Sequence, residues 1–133
     1  MRLDLSSYEK AQASLKKAFK RSEANDDDTE LRDASIQRFE YTFEIAWKML
    51  KRQLELDIAN KSEVDAFSKK TLFRVGAERA LLKDVEAWFD FLEKRNLTTH
   101  TYDEACAADV YASIANFIGA ADYLLEQLKK RNA

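Results

Sequence analysis

Residues 95–102 carry the side chains in this sequence that could do chemistry. Arg95 is followed by Asn96, then by His100, the single histidine of the 133-residue chain, and then by Tyr102. The ordinary pKa of a histidine lies near neutral pH, so its ring can take up and release a proton. An arginine is a permanent, planar cation whose geometry suits a phosphate. Together, these residues could transfer protons on a phosphodiester without a metal ion.

A purely structural explanation of the same residues is open at this point. An arginine and a histidine at this spacing are a weak motif on their own. Asn96 is a common residue at a helix C-terminus, and His100 could help to cap the next helix. Arg95 could form a surface ion pair of little energetic value, for which the nearby carboxylates are Glu93, Asp103 and Glu104. The residue types alone favour this explanation, so the surrounding elements have to decide.

The composition predicts an all-α protein. The chain has no proline and two glycines, while 35% of its residues are charged and 11% are aromatic. A β-sheet protein needs turn residues that this chain lacks, whereas long helices with charged outer faces suit this composition. At this length we expect a single domain, residues 1–133, folded as an antiparallel up-and-down four-helix bundle with a broken third helix.

Charge, cysteine content and hydropathy restrict the environment and the partners. The formal net charge of −2 provides no global positive field, so an RNA or nucleotide site has to be a local patch. The single cysteine, Cys106, excludes an internal disulfide and fits the reducing cytoplasm. No apolar run reaches the length of a membrane span, which predicts a cytoplasmic protein without a membrane partner. The acidic run at 26–28 lacks the pattern of a calcium loop, and nothing in the sequence indicates a metal or a cofactor.

Hydrophobic residues spaced three and four apart predict four helical segments. We place them at residues 6–24, 29–57, 68–96 with a break near 83–84, and 101–131. The pairs Ser6/Glu9 and Thr101/Glu104 have the S/T-x-x-E pattern of capping boxes and mark two helix starts. Residues 60–65 are predicted to be a polar linker. Gly76 is unfavourable inside a helix, which predicts close packing or a local bend at that position.

The predicted second helix has two apolar faces. One stripe consists of Ile36, Phe39, Phe43, Ala46, Leu50 and Leu54. A second stripe consists of Tyr41, Ile45, Met49 and Leu56, with Trp47 between the two. A helix with two apolar faces is buried on two sides, and in a chain this small the second side could be covered by another copy. The pattern therefore predicts a protein core and a homodimer surface.

An antiparallel hairpin would bring the chemistry-bearing residues to one end of the bundle. Arg95 ends one helix, His100 precedes the next, and Tyr102 lies on its first turn. Backbone N–H groups at a helix start favour an anion, so a phosphate could bind between Arg95 and His100. Cleaving RNA through its 2′-hydroxyl needs both a base and an acid, and one histidine supplies only one of them. A two-fold dimer with two Arg95/His100 pairs across a shared cleft would supply both.

The order Arg95-Asn96-x-x-x-His100-x-Tyr102 resembles the R-x4-H-x-Y motif of HepT proteins, which belong to the HEPN superfamily of α-helical RNases. The segment 36–51, IQRFEYTFEIAWKMLK, resembles the long second helix of a branch labelled nucleotidyltransferase substrate-binding protein. The similarity spans nearly the whole chain, from the helix of Tyr8 to that of Leu128. Two motifs in this order are much more specific than an arginine and a histidine alone.

This resemblance implies a helical bundle that forms a homodimer and has a minimal nucleotidyltransferase (MNT), encoded nearby, as its partner. In the toxin–antitoxin interpretation of the family, the HepT subunit cleaves RNA without a metal and the transferase neutralises it. By position, Arg95 and His100 would be the catalytic residues, with Asn96 assisting. Tyr102 would accept AMP from the partner, which would place bulk and negative charge in the cleft and repel RNA.

Two other functions are compatible with the same residues. The chain could be a non-catalytic subunit that binds a nucleotide or polynucleotide and presents it to the transferase. It could also be a helical dimer with neither activity. A further basic face on the first helix could extend an RNA track, although such a face is more often simply solvated; it consists of Lys16, Lys17, Lys20 and Arg21.

Overall fold

The computed structural model describes residues 2–133, which form helices and no β-strand. The helices are α1 (Ser6–Glu23), α2 (Thr29–Asp57), α3 (Lys61–Asp65), α4 (Lys69–Glu78), α5 (Val85–Leu97), α6 (Glu104–Ala112) and α7 (Ile114–Arg131). A short 3-10 turn, Thr98–His100, lies between α5 and α6. The predicted all-α bundle with a broken third helix is confirmed, since α4 and α5 occupy that position.

Helices α1 and α7 run antiparallel, and two tyrosine hydroxyls join α1 to α7 and to α6. Tyr8, near the start of α1, donates to the carbonyl of Ala121 in α7 at 2.7 Å. At the other end of α1, Tyr111 of α6 donates to Ser22 Oγ at 3.0 Å. A buried hydroxyl needs such a partner, so each bond also sets the register between helices.

Helix α2 lies at the centre of the bundle, and its bounds agree with the prediction. Every residue of its first apolar stripe is buried. Phe39 packs edge-on against Phe117 of α7, with ring centroids 4.9 Å apart, and Phe43 lies 6.2 Å from Trp88 of α5. Burying a side chain of this size stabilises the fold by about 1.5–3 kcal/mol relative to exposing it. The stripe therefore accounts for the side-by-side packing of α2, α5 and α7.

Helix α1 packs against α2 and reaches the edge of its second apolar face. Thr42 donates to the carbonyl of Ala11 at 3.2 Å, and Tyr41, the first residue of that face, donates to Ser14 Oγ at 2.8 Å. Met49 is buried and Ile45 is half-buried, whereas Tyr41 and Leu56 are exposed. The second face is thus partly covered within one chain, and the homodimer remains a prediction.

Both predicted capping boxes are wrong. At the start of α1 no side chain caps the helix from Leu5, and the backbone N–H of Ser6 donates to Asp4 Oδ1 at 2.9 Å. Helix α6 begins at Glu104, with the side chain of Asp103 accepting from two backbone N–H groups of the first turn. In both cases an aspartate lies close to the Ser or Thr of the predicted box, and its charged carboxylate is the stronger acceptor.

Two other boundaries differ from the prediction. The polar linker contains the short helix α3, which Asn60 caps by accepting from Ser62 and in which Val64 is buried. The last helix is interrupted at Ser113, whose hydroxyl contacts the carbonyl of Asp109 at 3.4 Å. A serine hydroxyl that bonds back to the preceding turn bends helices, so a local side-chain contact accompanies the break.

Close packing explains Gly76. A Cβ atom at this position would lie 3.1 Å from Leu50 Cδ1 and 3.4 Å from Leu82 Cδ1. Just beyond it, α4 ends with Ala80 at φ 63°, the left-handed conformation that commonly ends a helix. Leu81 and Leu82 are buried directly after this turn.

No helix in the described residues 2–133 is both long and apolar enough to cross a membrane.

Candidate functional site

The residues predicted to form a site lie in and around the connection between α5 and α6. Arg95 and Asn96 are in the last turn of α5, His100 ends the 3-10 turn, and Tyr102 lies just before α6. The buried Thr98 fixes this connection, because its hydroxyl donates to the carbonyl of Arg95 at 2.7 Å. The candidate residues are therefore held by a short and ordered backbone.

His100 and Tyr102 lie side by side on the surface. The Tyr102 hydroxyl is 3.5 Å from His100 Nδ1, at the limit of a hydrogen bond, and the two ring centroids are 6.0 Å apart. His100 is exposed, and Tyr102 retains 85% of its exposure. Neither ring is needed for packing, and the ring of His100 does not cap the next helix, whose cap is Asp103. A substrate or a modifying enzyme can reach both.

Arg95 pairs with Glu44 of α2 and not with a carboxylate near it in sequence. Its Nε donates to Glu44 Oε1 of α2 at 2.7 Å, and about a quarter of each side chain is exposed. The surface carboxylate Glu104 pairs with Arg32 instead. Among residues 2–133, the two terminal nitrogens of Arg95 have no hydrogen-bond acceptor, which leaves them available to a phosphate.

Glu44 is held from two sides. Its second oxygen accepts from the indole N–H of Trp47, one helical turn further along α2, at 3.0 Å. Burial alone would raise the pKa of Glu44, but the hydrogen bonds from Trp47 and Arg95 and the charges of Arg95 and Lys69 outweigh it. The pKa of Glu44 therefore lies below its ordinary value of 4.5. At neutral pH this residue is a carboxylate that anchors Arg95.

Sequence reasoning missed Glu44 and Trp47 as parts of this site. A signal was present in the 36–51 segment, where a glutamate precedes a tryptophan by three residues on an apolar helix. An indole N–H that is partly buried needs an acceptor, and positions three apart lie on one helix face. The pairing with Arg95 had no such signal, because it joins residues 51 positions apart.

The site as a whole is an open surface. A shallow cavity lies against residues 24–30, and none of the four predicted site residues lines it. In the described part of the chain, no three histidine, cysteine or acidic side chains are grouped so that they could hold a metal ion. Arg95 is held by Glu44 with its terminal nitrogens free, and the exposed ring of His100 lies in the same connection. A guanidinium held in this way suits a phosphate, and an imidazole is the type of side chain suited to proton transfer.

Comparisons with known proteins match both the sequence and the fold. Residues 3–130 match the family described as "Nucleotidyltransferase substrate binding protein like". A protein of Haemophilus influenzae named "Probable ribonuclease HepT" is 40% identical over 98 residues, which cover 74% of this chain and 67% of that protein. The family match extends from the start of α1 to the last turn of α7.

Two solved structures have the same architecture. One, from Haemophilus influenzae, is described as revealing the fold of a substrate-binding domain of a nucleotidyltransferase. It superposes with a TM-score of 0.88 at 31% identity and covers 95% of this chain and 99% of that one. The other, from Thermus thermophilus, has a TM-score of 0.77 at 33% identity and covers 91% and 98% of the two chains. The chain therefore belongs to the HepT-like family of nucleotidyltransferase substrate-binding proteins.

Proposed function

We propose that this protein is the HepT-like subunit of a two-component system with a minimal nucleotidyltransferase, and that it is a metal-independent endoribonuclease toxin of the cytoplasm. The observation that carries the proposal is the pair Arg95 and His100. Glu44 anchors the arginine through Nε and leaves its two terminal nitrogens free, and the histidine is exposed in the same connection. The name of the Haemophilus influenzae relative, a probable ribonuclease, agrees with this chemistry.

The proposed reaction is attack by the RNA 2′-hydroxyl on the adjacent phosphorus. One histidine removes the hydroxyl proton, the new O–P bond forms, and the bond to the 5′-oxygen breaks as that oxygen takes a proton from an acid. The products are a 2′,3′-cyclic phosphate and a 5′-hydroxyl end. Arg95 would stabilise the negative charge that grows on the phosphoryl oxygens, and Asn96 would add a neutral hydrogen-bonding group. Since each chain has one histidine, His100 of a second copy would supply the acid.

Tyr102 is the proposed point of control by the transferase partner. Its hydroxyl lies 3.5 Å from His100 Nδ1 and is freely accessible. Addition of AMP there would place a phosphate beside the histidine and next to the position of the RNA backbone. The added negative charge would repel RNA and occupy the anion site, which would stop cleavage.

A second candidate function is a non-catalytic subunit that binds a nucleotide and presents it to the transferase. The descriptions of the matching family and of the Haemophilus influenzae structure favour it, since both refer to substrate binding. The same free nitrogens of Arg95 would then hold a nucleotide phosphate without a chemical step.

The test is cleavage of single-stranded RNA by protein purified without any transferase, compared with His100→Ala. Intact mass measured on the same sample shows whether Tyr102 carries AMP, and light scattering measures the oligomeric state. We expect the wild type to leave 2′,3′-cyclic phosphate ends and His100→Ala to lose at least a hundredfold in rate with an unchanged melting temperature. Absence of cleavage by unmodified, dimeric wild type would refute the ribonuclease and favour the binding subunit.

A further inference from the structure

Two aromatic rings on one side of the bundle each have two cationic side chains within 6 Å of the ring centroid. Around Trp47 of α2, Nζ of Lys69 lies 4.9 Å and Nζ of Lys48 lies 5.8 Å from the ring centroid. Around Phe89 of α5, Cζ of Arg74 lies 5.2 Å and Nζ of Lys70 lies 5.6 Å from the centroid. Both rings are half-buried and all of these cations are exposed. We call these six residues the cation–aromatic surface.

This surface is continuous with the anchored arginine. Glu44 accepts from Arg95 at 2.7 Å and from Trp47 at 3.0 Å, so one carboxylate joins the two. Lys69 over Trp47 and Lys70 over Phe89 are neighbours in α4. An unbroken series of contacts therefore leads from Arg95 across α2 and α4 to Arg74.

The cations of this surface are not neutralised by acidic partners. Within residues 2–133, none of its four cations forms a salt bridge, whereas Lys16, Lys94 and Lys129 do. Glu44 is already matched by Arg95. The nearest exposed carboxylates in sequence are Glu78, one turn beyond Arg74, and Glu86 and Glu93, each within about a turn of Phe89. Asp90 pairs with Lys94, and none of these carboxylates forms an ion pair with the four cations. In a protein of net charge −2, this is the kind of local positive patch that a polyanion requires.

We propose that the cation–aromatic surface binds single-stranded RNA and leads it to Arg95 and His100. A track of cations follows a phosphate backbone, and an accessible ring stacks on an unpaired base, for about 1–3 kcal/mol per base. A base could take the place of Lys69 over Trp47, while the displaced ammonium moves to a phosphate. Bases in a duplex are not available for such stacking, so the surface selects single strands. The inference rests on the proposed function only in taking RNA as the ligand.

The test measures binding separately from cleavage. A fluorescein-labelled, single-stranded 2′-O-methyl RNA of about a dozen nucleotides cannot be cleaved through its 2′ position, so its anisotropy reports affinity alone. The variant Lys70→Gln/Arg74→Gln removes two charges of the surface. The matched control, Lys10→Gln/Arg52→Gln, removes one exposed lysine and one exposed arginine that lie outside this surface and outside the basic face of α1, and that have no ion-pair partner in the described residues either.

We expect the surface variant to weaken binding about tenfold at low salt and the control to change it less than twofold. Each lost phosphate contact should lower the slope of log K against log salt by about 0.7 for a single strand. Bound RNA should also quench the fluorescence of Trp47, and Trp47→Phe should remove that signal, because the remaining Trp88 is buried.

The outcomes separate this inference from the proposed function. Equal loss in the surface and control variants, tighter binding of a duplex than of a single strand, or no saturable binding by the wild type would each overturn the inference. Binding that follows the expected pattern, with no cleavage of ordinary RNA, would support the inference and refute the ribonuclease. If the wild type and the surface variant cleave RNA at equal rates and bind it with equal affinity, the ribonuclease is supported and the inference is refuted.

Discussion

Replacing Glu44 with glutamine tests whether this carboxylate anchors Arg95. Glutamine keeps a carbonyl oxygen that can accept from Arg95 Nε, but its amide nitrogen cannot accept from the indole N–H of Trp47. Glu44→Gln therefore removes the charge and one of two hydrogen bonds. A hydrogen bond to a charged group contributes about 1.5–3 kcal/mol. Because about a quarter of each side chain remains exposed, water screens the pair, and we expect a loss of about 1–2 kcal/mol.

The lowered pKa of Glu44 determines how the stability lost in Glu44→Gln depends on pH. The folded-state pKa of Glu44 lies below its ordinary value of 4.5, so the stabilisation is present above that pH and is lost as the pH falls through the folded-state pKa. Thermal unfolding at pH 7 should show a decrease of roughly 4 °C per kcal/mol for a chain of this length. The difference between wild type and Glu44→Gln should shrink as the pH falls below 4.5. We also expect slower RNA cleavage, because a neutral amide holds Arg95 less firmly than a carboxylate does.

A matched control distinguishes this anchor from an ordinary surface ion pair. Lys130 and Glu126 form an exposed pair on α7, with about two thirds of each side chain in water. Glu126→Gln should lower the melting temperature by less than about 2 °C, since such pairs contribute little. Equal melting temperatures for Glu44→Gln and wild type at pH 7, or a difference that does not depend on pH, would refute the reasoning.

The two glycines and a buried tyrosine give further predictions, each measured by thermal or urea unfolding. Gly119→Ala should stabilise the protein by about 0.5–1 kcal/mol, since nothing lies within 4 Å of the new Cβ and alanine favours the helix. Gly76→Ala should destabilise it by about 1 kcal/mol, because the new Cβ would lie too close to the fully buried Leu50, and this crowding outweighs the same helix preference. A shift of the same sign at both glycines would contradict this account. Tyr8→Phe should cost about 1–2 kcal/mol, because it leaves the carbonyl of Ala121 without its buried donor. Burial, with a smaller effect of the Asp122 charge, raises the pKa of Tyr8 well above its ordinary value, so this loss should not vary between about pH 6 and 9; a loss that depends on pH in that range would contradict the assignment.

Periodicity predicted the helices well where one face is continuous. The bounds of α2 follow from its buried stripe and from Asp28, whose carboxylate accepts from the first backbone N–H groups of the helix. The start of α1 was predicted, but its cap and the start and cap of α6 were not, because several residues near each end compete for the same N–H groups. Which of Asp4, Ser6, Thr101 and Asp103 caps a helix depends on backbone angles that spacing does not encode.

The candidate site was predictable only in part, for a similar reason. Arg95, Asn96, His100 and Tyr102 share one short connection, so their proximity follows from the chain itself. The anchor from Glu44 and the cation–aromatic surface join helices far apart in sequence, and their contacts depend on how α4 packs across α2 and α5. A pattern within one segment carries no record of such packing.

The exposure of Tyr102 would allow the proposed modification to control activity without changing stability. With 85% of its surface in water, this side chain contributes almost nothing to the folded state. A group attached to its hydroxyl would change the charge next to His100 while the melting temperature stayed the same. The cell would thus keep an inactive pool of fully folded protein, which removal of the group would restore at once. Neither refolding nor new synthesis would be required.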